Sequence, residues 1–120
     1  MNLGATGKTA EDRTAAFLRK NGYKVIKRNY SCRFGEIDII SEKDEYIIFT
    51  EVKARKENSL VSPIEAVDRA KRQRIMLTAE DYITKTRTEL PPRFDVAEVT
   101  VCEKADKSVV YSLHYLENAF

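Results

Sequence analysis

Three acids and a base interrupt the most apolar part of this chain. In GEIDIISEKDEYIIFTEVKAR, residues 35–55, Glu36, Asp38, Glu51 and Lys53 fall at alternate positions of two segments that otherwise read as core-forming strands. Successive side chains of a strand point to opposite faces. Glu36, Asp38 and Ile40 are therefore expected on one face, with Ile37 and Ile39 on the other. On the partner strand Ile47, Phe49, Glu51 and Lys53 share a face, and Ile48, Thr50 and Val52 take the opposite one.

Residues directly opposite in a hairpin lie on the same face, so the turn decides which charges meet. With Asp44-Glu45 as the turn, Asp38 lies opposite Glu51 and Glu36 opposite Lys53. With Lys43-Asp44, Asp38 meets Phe49 and Glu36 meets Glu51. Either register gathers the four charges at the hairpin end away from its turn. Crowded carboxylates raise the pKa of one of them unless a cation relieves the repulsion. Three acids against one base leave a net deficit that a divalent ion would fill. All-oxygen ligation with few carboxylates suits Mg²⁺ or Mn²⁺. Lys53 would then stand beside the ion, where a compact ammonium can hold a phosphate oxygen or an attacking water. The plainer alternative is a set of exposed cross-strand ion pairs. Against it, YIIFTEVKA is almost continuously apolar, as central strands are, and an unpaired carboxylate buried there would cost several kcal/mol.

These charges need a scaffold, and the chain supplies the signals for one. The spacing predicts a helix from Thr9 to about Asn21, with Thr9 as N-cap, Glu11 and Asp12 in its first turn and Gly22 as its stop. YKVIKRNY (23–30) reads as the first strand, and the charged hairpin supplies the second and third. Ser62-Pro63-Ile64-Glu65 combines a capping box with proline at the first helical position, predicting a second helix that runs to about Thr86. RFDVAEVTV (93–101) and SVVYSL (108–113) read as closing strands. The order is αβββαββ, an α/β domain over residues 1–120 with a mixed sheet flanked by helices.

Composition narrows the classes. At 42% hydrophobic and 33% charged the chain reads as globular, and a net charge of +2 does not by itself announce a polyanion partner. MNLGATGKTAEDR carries no apolar leader-like core, and no run is long enough to span a bilayer, so a cytoplasmic protein without membrane contact is expected. Cys32 and Cys102 lack CxxC spacing, and His114 is the lone histidine, which argues against a thiolate metal cluster. GATGKT (4–9) looks like the end of a phosphate-binding loop, but that pattern needs glycine where Asn2 stands.

Asp38 followed thirteen residues later by Glu51-x-Lys53, on adjacent strands behind a helix, resembles the PD-(D/E)xK, restriction-endonuclease-like, nuclease superfamily. More narrowly, GEIDII, FTEVKAR, AVDRAKRQRI and RFDV, in that order, resemble the YraN family of small bacterial proteins predicted to be endonucleases. Ile37 stands where the superfamily's name puts proline, and Ala10 where the family usually has glycine. The resemblance implies a restriction-endonuclease-like fold and a metal-dependent phosphodiesterase. Asp38 and Glu51 would bind Mg²⁺ (or Mn²⁺) with help from the Val52 carbonyl, and Lys53 would position the water and stabilise the transition state. It reaches to archaeal junction resolvases, so branched, flapped or junction DNA is the implied substrate class. Because those resolvases are dimers, a homodimer stays open.

Other residues join on weaker grounds. Glu11 shares a helix face with Ala15 and Leu18, and the family also carries an acid here; it is expected among the catalytic residues, as a second metal ligand or a substrate contact. Lys71 falls in the middle of the stripe Ile64, Val67, Ile75, Thr78, Tyr82, and is expected to reach a scissile phosphate. Arg55 and Lys56 beyond Lys53, and Arg33 before Gly35, would rim the pocket and bind nucleic acid. Glu36 is a further candidate ligand or a partner of Lys53, and Asp95 is expected to be structural, paired with Arg93 or a basic helix residue. The expected activity is metal-dependent endonucleolytic cleavage of DNA by structure rather than sequence. Its rival is a nucleic-acid-binding accessory that keeps the fold with little turnover.

Overall fold

The acid-bearing hairpin closes through Asp44 and Glu45, both at positive φ (51° and 67°). A two-residue type I′ connection requires this backbone, and its twist matches that of the strands it joins. The turn selects the first of the two registers: Lys43 pairs with Tyr46, Ile40 with Phe49 and Ile39 with Thr50.

The computed structural model describes residues 3–57 and 68–120. Over them the order is α1 (Leu3–Lys20), β1 (Lys24–Cys32), β2 (Gly35–Lys43), β3 (Tyr46–Lys56), α2 (Arg69–Thr86), β4 (Pro92–Glu103) and β5 (Val109–Leu116). This is the mixed α/β arrangement αβββαββ. The strands form one sheet in chain order, β1-β2-β3-β4-β5. All neighbours are antiparallel except β3 and β4, which run parallel from Ile47↔Pro92 to Lys56↔Val101. A parallel pair cannot be closed by a tight turn, and α2 lies in the connection between these two strands.

Alternation along β3 separates two cores. Ile47 and Phe49 pack with Ile40, Val96 and the α2 residues Ile75, Ala79 and Tyr82. Ile48 packs with Ile39 and the α1 residues Ala15 and Leu18. The sheet is thus sandwiched between one helix on each face. Gly22, at φ 85°, ends α1 in a Schellman cap: Tyr23 N–H donates to the Leu18 carbonyl at 2.9 Å and Gly22 N–H to that of Arg19 at 3.2 Å. At the end of α2, Arg87 takes the same left-handed backbone (φ 54°, ψ 36°) without being glycine. Arg87→Gly relieves that Cβ strain and is expected to raise stability by about 0.5–1 kcal/mol in urea unfolding.

Three expectations need correction. Helix α1 begins well before Thr9, so Thr9 is not its N-cap and Glu11 lies in mid-helix rather than its first turn. Gly4 and Gly7 fall within α1, because a helical glycine costs only about 1 kcal/mol relative to alanine and weakens a helix without forbidding it. The expected helix start at Ser62-Pro63 lies outside the described residues. A helix running unbroken to Thr86 is ruled out nonetheless, because Asp68 is extended (φ −70°, ψ 175°) and caps α2 by accepting from Lys71 N–H. Finally, strict alternation along β2 fails at Asp38. Ile37 joins Ile40 in the α2-side core, although Ile39 lies on the α1 side. Beside this switch Asn29 of β1 sits at φ 53°, and both strands change face together: Arg28 reaches α1, whereas Tyr30 packs on the α2 side.

Candidate active site

The β2–β3 ladder stops at Ile39↔Thr50, so the two strands separate where the charges begin. Asp38 bridges the gap with its side chain: its Oδ2 accepts from Val52 N–H at 2.7 Å, taking the place of the next strand partner. The carboxyl is thereby held against β3 beside Glu51. Burial first, and then the neighbouring Glu51 carboxylate, push Asp38 up to about 7, against the opposing Val52 hydrogen bond; Glu11 adds to the upward push. The expected crowding of acids at the open end of the hairpin is therefore present, through side-chain reach rather than ladder pairing.

Glu51 is the hub. It is only 8% exposed, and one of its oxygens, Oε1, receives Lys71 Nζ at 3.0 Å and Lys53 Nζ at 3.3 Å. The two ammonium groups differ. Lys53 is pushed down, by burial and then by Lys71 beside it. For Lys71 burial works downward, but hydrogen bonding with Lys53 and the charge of Glu51 outweigh it and push the group up. One lysine that gives up its proton more readily thus sits next to one that keeps it.

The raised Asp38 has a consequence for stability. An acid whose pKa is higher folded than unfolded favours the native state only while protonated, so its contribution is lost as pH rises from about 4 to about 7. The metal-free protein is expected to lose on the order of 3 kcal/mol across that range. Urea midpoints in EDTA at both ends of the range would measure this, and Asp38→Asn should flatten the difference.

The remaining candidates divide. Glu11 comes near enough to act on Asp38, yet its Oε1 is engaged by Arg28 at 3.0 Å and by Asn29 Nδ2 at 2.9 Å. Lys71, carried by the first turn of α2, lies beside Glu51. Val52 presents its N–H to Asp38. Arg55 is drawn to Glu98 on β4 at 2.6 Å, Arg33 lies over its neighbour Phe34, 4.7 Å from the ring centre, and Lys56 is exposed at the end of β3. None of these three lines the cleft beside Glu51. That cleft, of about 190 Å³, is bounded by Gly35, Glu36, Glu51, Lys71, Arg74 and Ile75. Gly35 is at φ 149°, a backbone that L side chains rarely adopt, and it packs closely on α2: a Cβ there would stand 3.4 Å from Thr78 Oγ1. Sequence reasoning passed over Arg74; its position three residues after Lys71, on the same side of a helix, was the available signal.

Asp95 is structural, as expected, and its partner is Arg93. It is fully buried on β4, and takes Arg93 at 2.8 Å, the Tyr115 hydroxyl at 2.7 Å and the backbone N–H of Asn118 at 2.8 Å. Cys32 and Cys102 are free thiols, and among the described residues no helix is long and apolar enough to cross a membrane.

Fold and site together define a small α/β protein whose central hairpin carries an acid pair and a lysine at its open end. The chain belongs to the uncharacterised protein family UPF0102, the YraN group, which matches residues 10–99. It is 40% identical to a UPF0102 protein of Dictyoglomus thermophilum over the whole of both chains. It is also 43% identical to one of Clostridium perfringens, over 92% of this chain and 88% of that one. A third relative, from Caldanaerobacter subterraneus, is 36% identical over all of this chain and 98% of its own.

Proposed function

We propose that the protein is a metal-dependent endonuclease that hydrolyses phosphodiester bonds in DNA and selects branched, flapped or junction structures rather than sequence. One observation carries the reading: a carboxyl, Asp38, pushed up to about 7 by burial and then by a second, nearly buried carboxylate beside it, with two lysines on that second group. Repulsion of this kind is relieved by a cation. Among the described residues no group of three or more His, Cys, Asp or Glu side chains converges to hold an ion. Two carboxylates are nevertheless a usual protein share for Mg²⁺, which keeps several waters and shares substrate phosphate oxygens. Asp38 and Glu51 would hold Mg²⁺ or Mn²⁺, with the Val52 carbonyl a third candidate donor. When bound, the ion would supply charge to the phosphoryl oxygens and lower the pKa of a water.

The rest of the chemistry falls to this chain's own groups. Lys53, pushed down by burial, is suited to orient the attacking water and exchange a proton with it. Lys71 keeps its charge and is suited to neutralise a non-bridging phosphate oxygen as the transition state gathers charge. Glu51 holds both ammonium groups until substrate competes for them. Val52 N–H fixes Asp38 against β3 beside Glu51, leaving its other oxygen for an ion.

The double engagement of Glu51 also favours a second reading. Its charge is already compensated, as in a nucleic-acid-binding accessory that retains the fold with little turnover. The two separate on labelled linear, flapped and four-way DNA with Mg²⁺, Mn²⁺ or EDTA. Cleavage that needs metal and is lost in Glu51→Ala supports the nuclease; binding without cleavage under every metal supports the accessory.

A further inference from the structure

Most bases around the site already have an acid. Lys53 and Lys71 share Glu51, Arg28 is on Glu11 and Asp12, and Arg55 is on Glu98. Arg74 is different. It lines the cleft together with Lys71, is exposed, and makes no ion pair with any described residue. Glu36 lies in the same cleft but forms no ion pair with it. A guanidinium left unpaired beside a concave surface offers a planar fork of donors, the geometry that matches phosphate.

Its placement adds to this. Lys71 and Arg74 are neighbours on one side of α2, with Cβ atoms about 5–6 Å apart in an ideal helix. Gly35 packs against Arg74, and a Cβ on it would stand 3.8 Å from Arg74 Cβ. That close packing backs the stem of Arg74, so a phosphate would be met by the guanidinium at the exposed end of the side chain. Successive phosphates on one strand advance about 3.4 Å along the helix axis, a step two long side chains can span.

We propose that Arg74 is a phosphate-binding residue, gripping the phosphodiester next to the one that faces Lys71, so that the cleft takes at least two consecutive phosphates of a single strand. The inference rests on the nucleic-acid part of the proposed function but not on turnover. It makes the recognised unit a stretch of backbone from one strand, independent of base identity.

The test measures binding of a short fluorescein-labelled single-stranded DNA in EDTA by anisotropy, between about 50 and 200 mM salt. Arg74→Ala is expected to weaken binding on the order of tenfold and to lower the slope of log K against log salt by about one. Arg74→Lys should keep the slope, and Arg19→Ala, which removes an exposed charge at the far end of α1, should match wild type. Arg74 is exposed, so an unchanged thermal midpoint would verify that the fold survives. Equal slopes for Arg74→Ala and wild type, equal losses for Arg74→Ala and Arg19→Ala, or no binding by wild type would each overturn the assignment. An Arg74-dependent slope without cleavage under any metal would sink the nuclease reading and leave this one standing.

Discussion

Lys53→Ala should lower metal-dependent DNA cleavage by 10²–10⁴-fold, on the order of what a positioned proton-transfer group supplies, while affinity for the same DNA in EDTA stays within about tenfold. The reason lies in the asymmetry of the two lysines on Glu51. Lys53 is half buried on β3 and pushed down, which suits it to trade a proton with water; Lys71 is pushed up, which suits it to remain a fixed charge. Removing Lys53 deletes the exchangeable group and leaves the charge. Lys53→Arg keeps a cation in place but substitutes a group that does not deprotonate, so it should fail to rescue the rate. Recovery of near wild-type rates by arginine would mean that Lys53 acts only through its charge. Single-turnover rates with Mg²⁺ and with Mn²⁺ are the measurement, because they separate the chemical step from binding and release.

Much of this site was legible in the sequence, for a physical reason. The period-two alternation of a strand and the two candidate turns left only two registers, and Asp44-Glu45 at positive φ realises one of them. Glu51, Lys53 and the apolar residues around them therefore fell where alternation put them. Asp38 did not, because a strand pattern cannot announce the point at which its ladder ends. Beyond Ile39 the chain exchanges a backbone hydrogen bond for a side-chain one, and Ile37 crosses to the other core. Lys71 was readable because a base in an apolar stripe is a local anomaly, whereas Arg74 sits on an exposed position where arginine is ordinary. The helix starts were least legible. Thr9 carries a sound capping signal, yet α1 extends through its glycines; the start expected at Ser62-Pro63 lies outside the described residues, and the helix that reaches Thr86 takes its cap from Asp68. Arg55 and Lys56 follow the same strand as Lys53, but proximity in sequence could not foretell that Glu98 would draw Arg55 across to β4.

The second large effect concerns the fold rather than the chemistry. Asp95→Ala is expected to destabilise the protein by about 3–5 kcal/mol, since it strips a largely buried cation of its bidentate carboxylate and leaves it only Glu117 at 3.9 Å and the Tyr23 hydroxyl. Asp95 is fully buried, and Arg93, at 13% side-chain exposure, donates to both its oxygens through Nε and Nη2. The same carboxylate accepts from Tyr115, whose hydroxyl also meets Thr50 Oγ1 at 2.8 Å, and from the backbone of Asn118. One anion thus ties together β3, β4, β5 and the chain after β5, where Ala119 N–H adds a bond to the Phe94 carbonyl at 2.7 Å. Tyr115→Phe removes a single hydroxyl from that network and should cost only about 1–2 kcal/mol. Replacing Arg93 and Asp95 together by residues of similar volume should cost less than Asp95→Ala alone, because the penalty lies mainly in the stranded guanidinium. Urea unfolding of the two single variants and the double variant closes the cycle. A loss below about 1 kcal/mol for Asp95→Ala would show that water reaches Arg93 and that the network does not bear on stability.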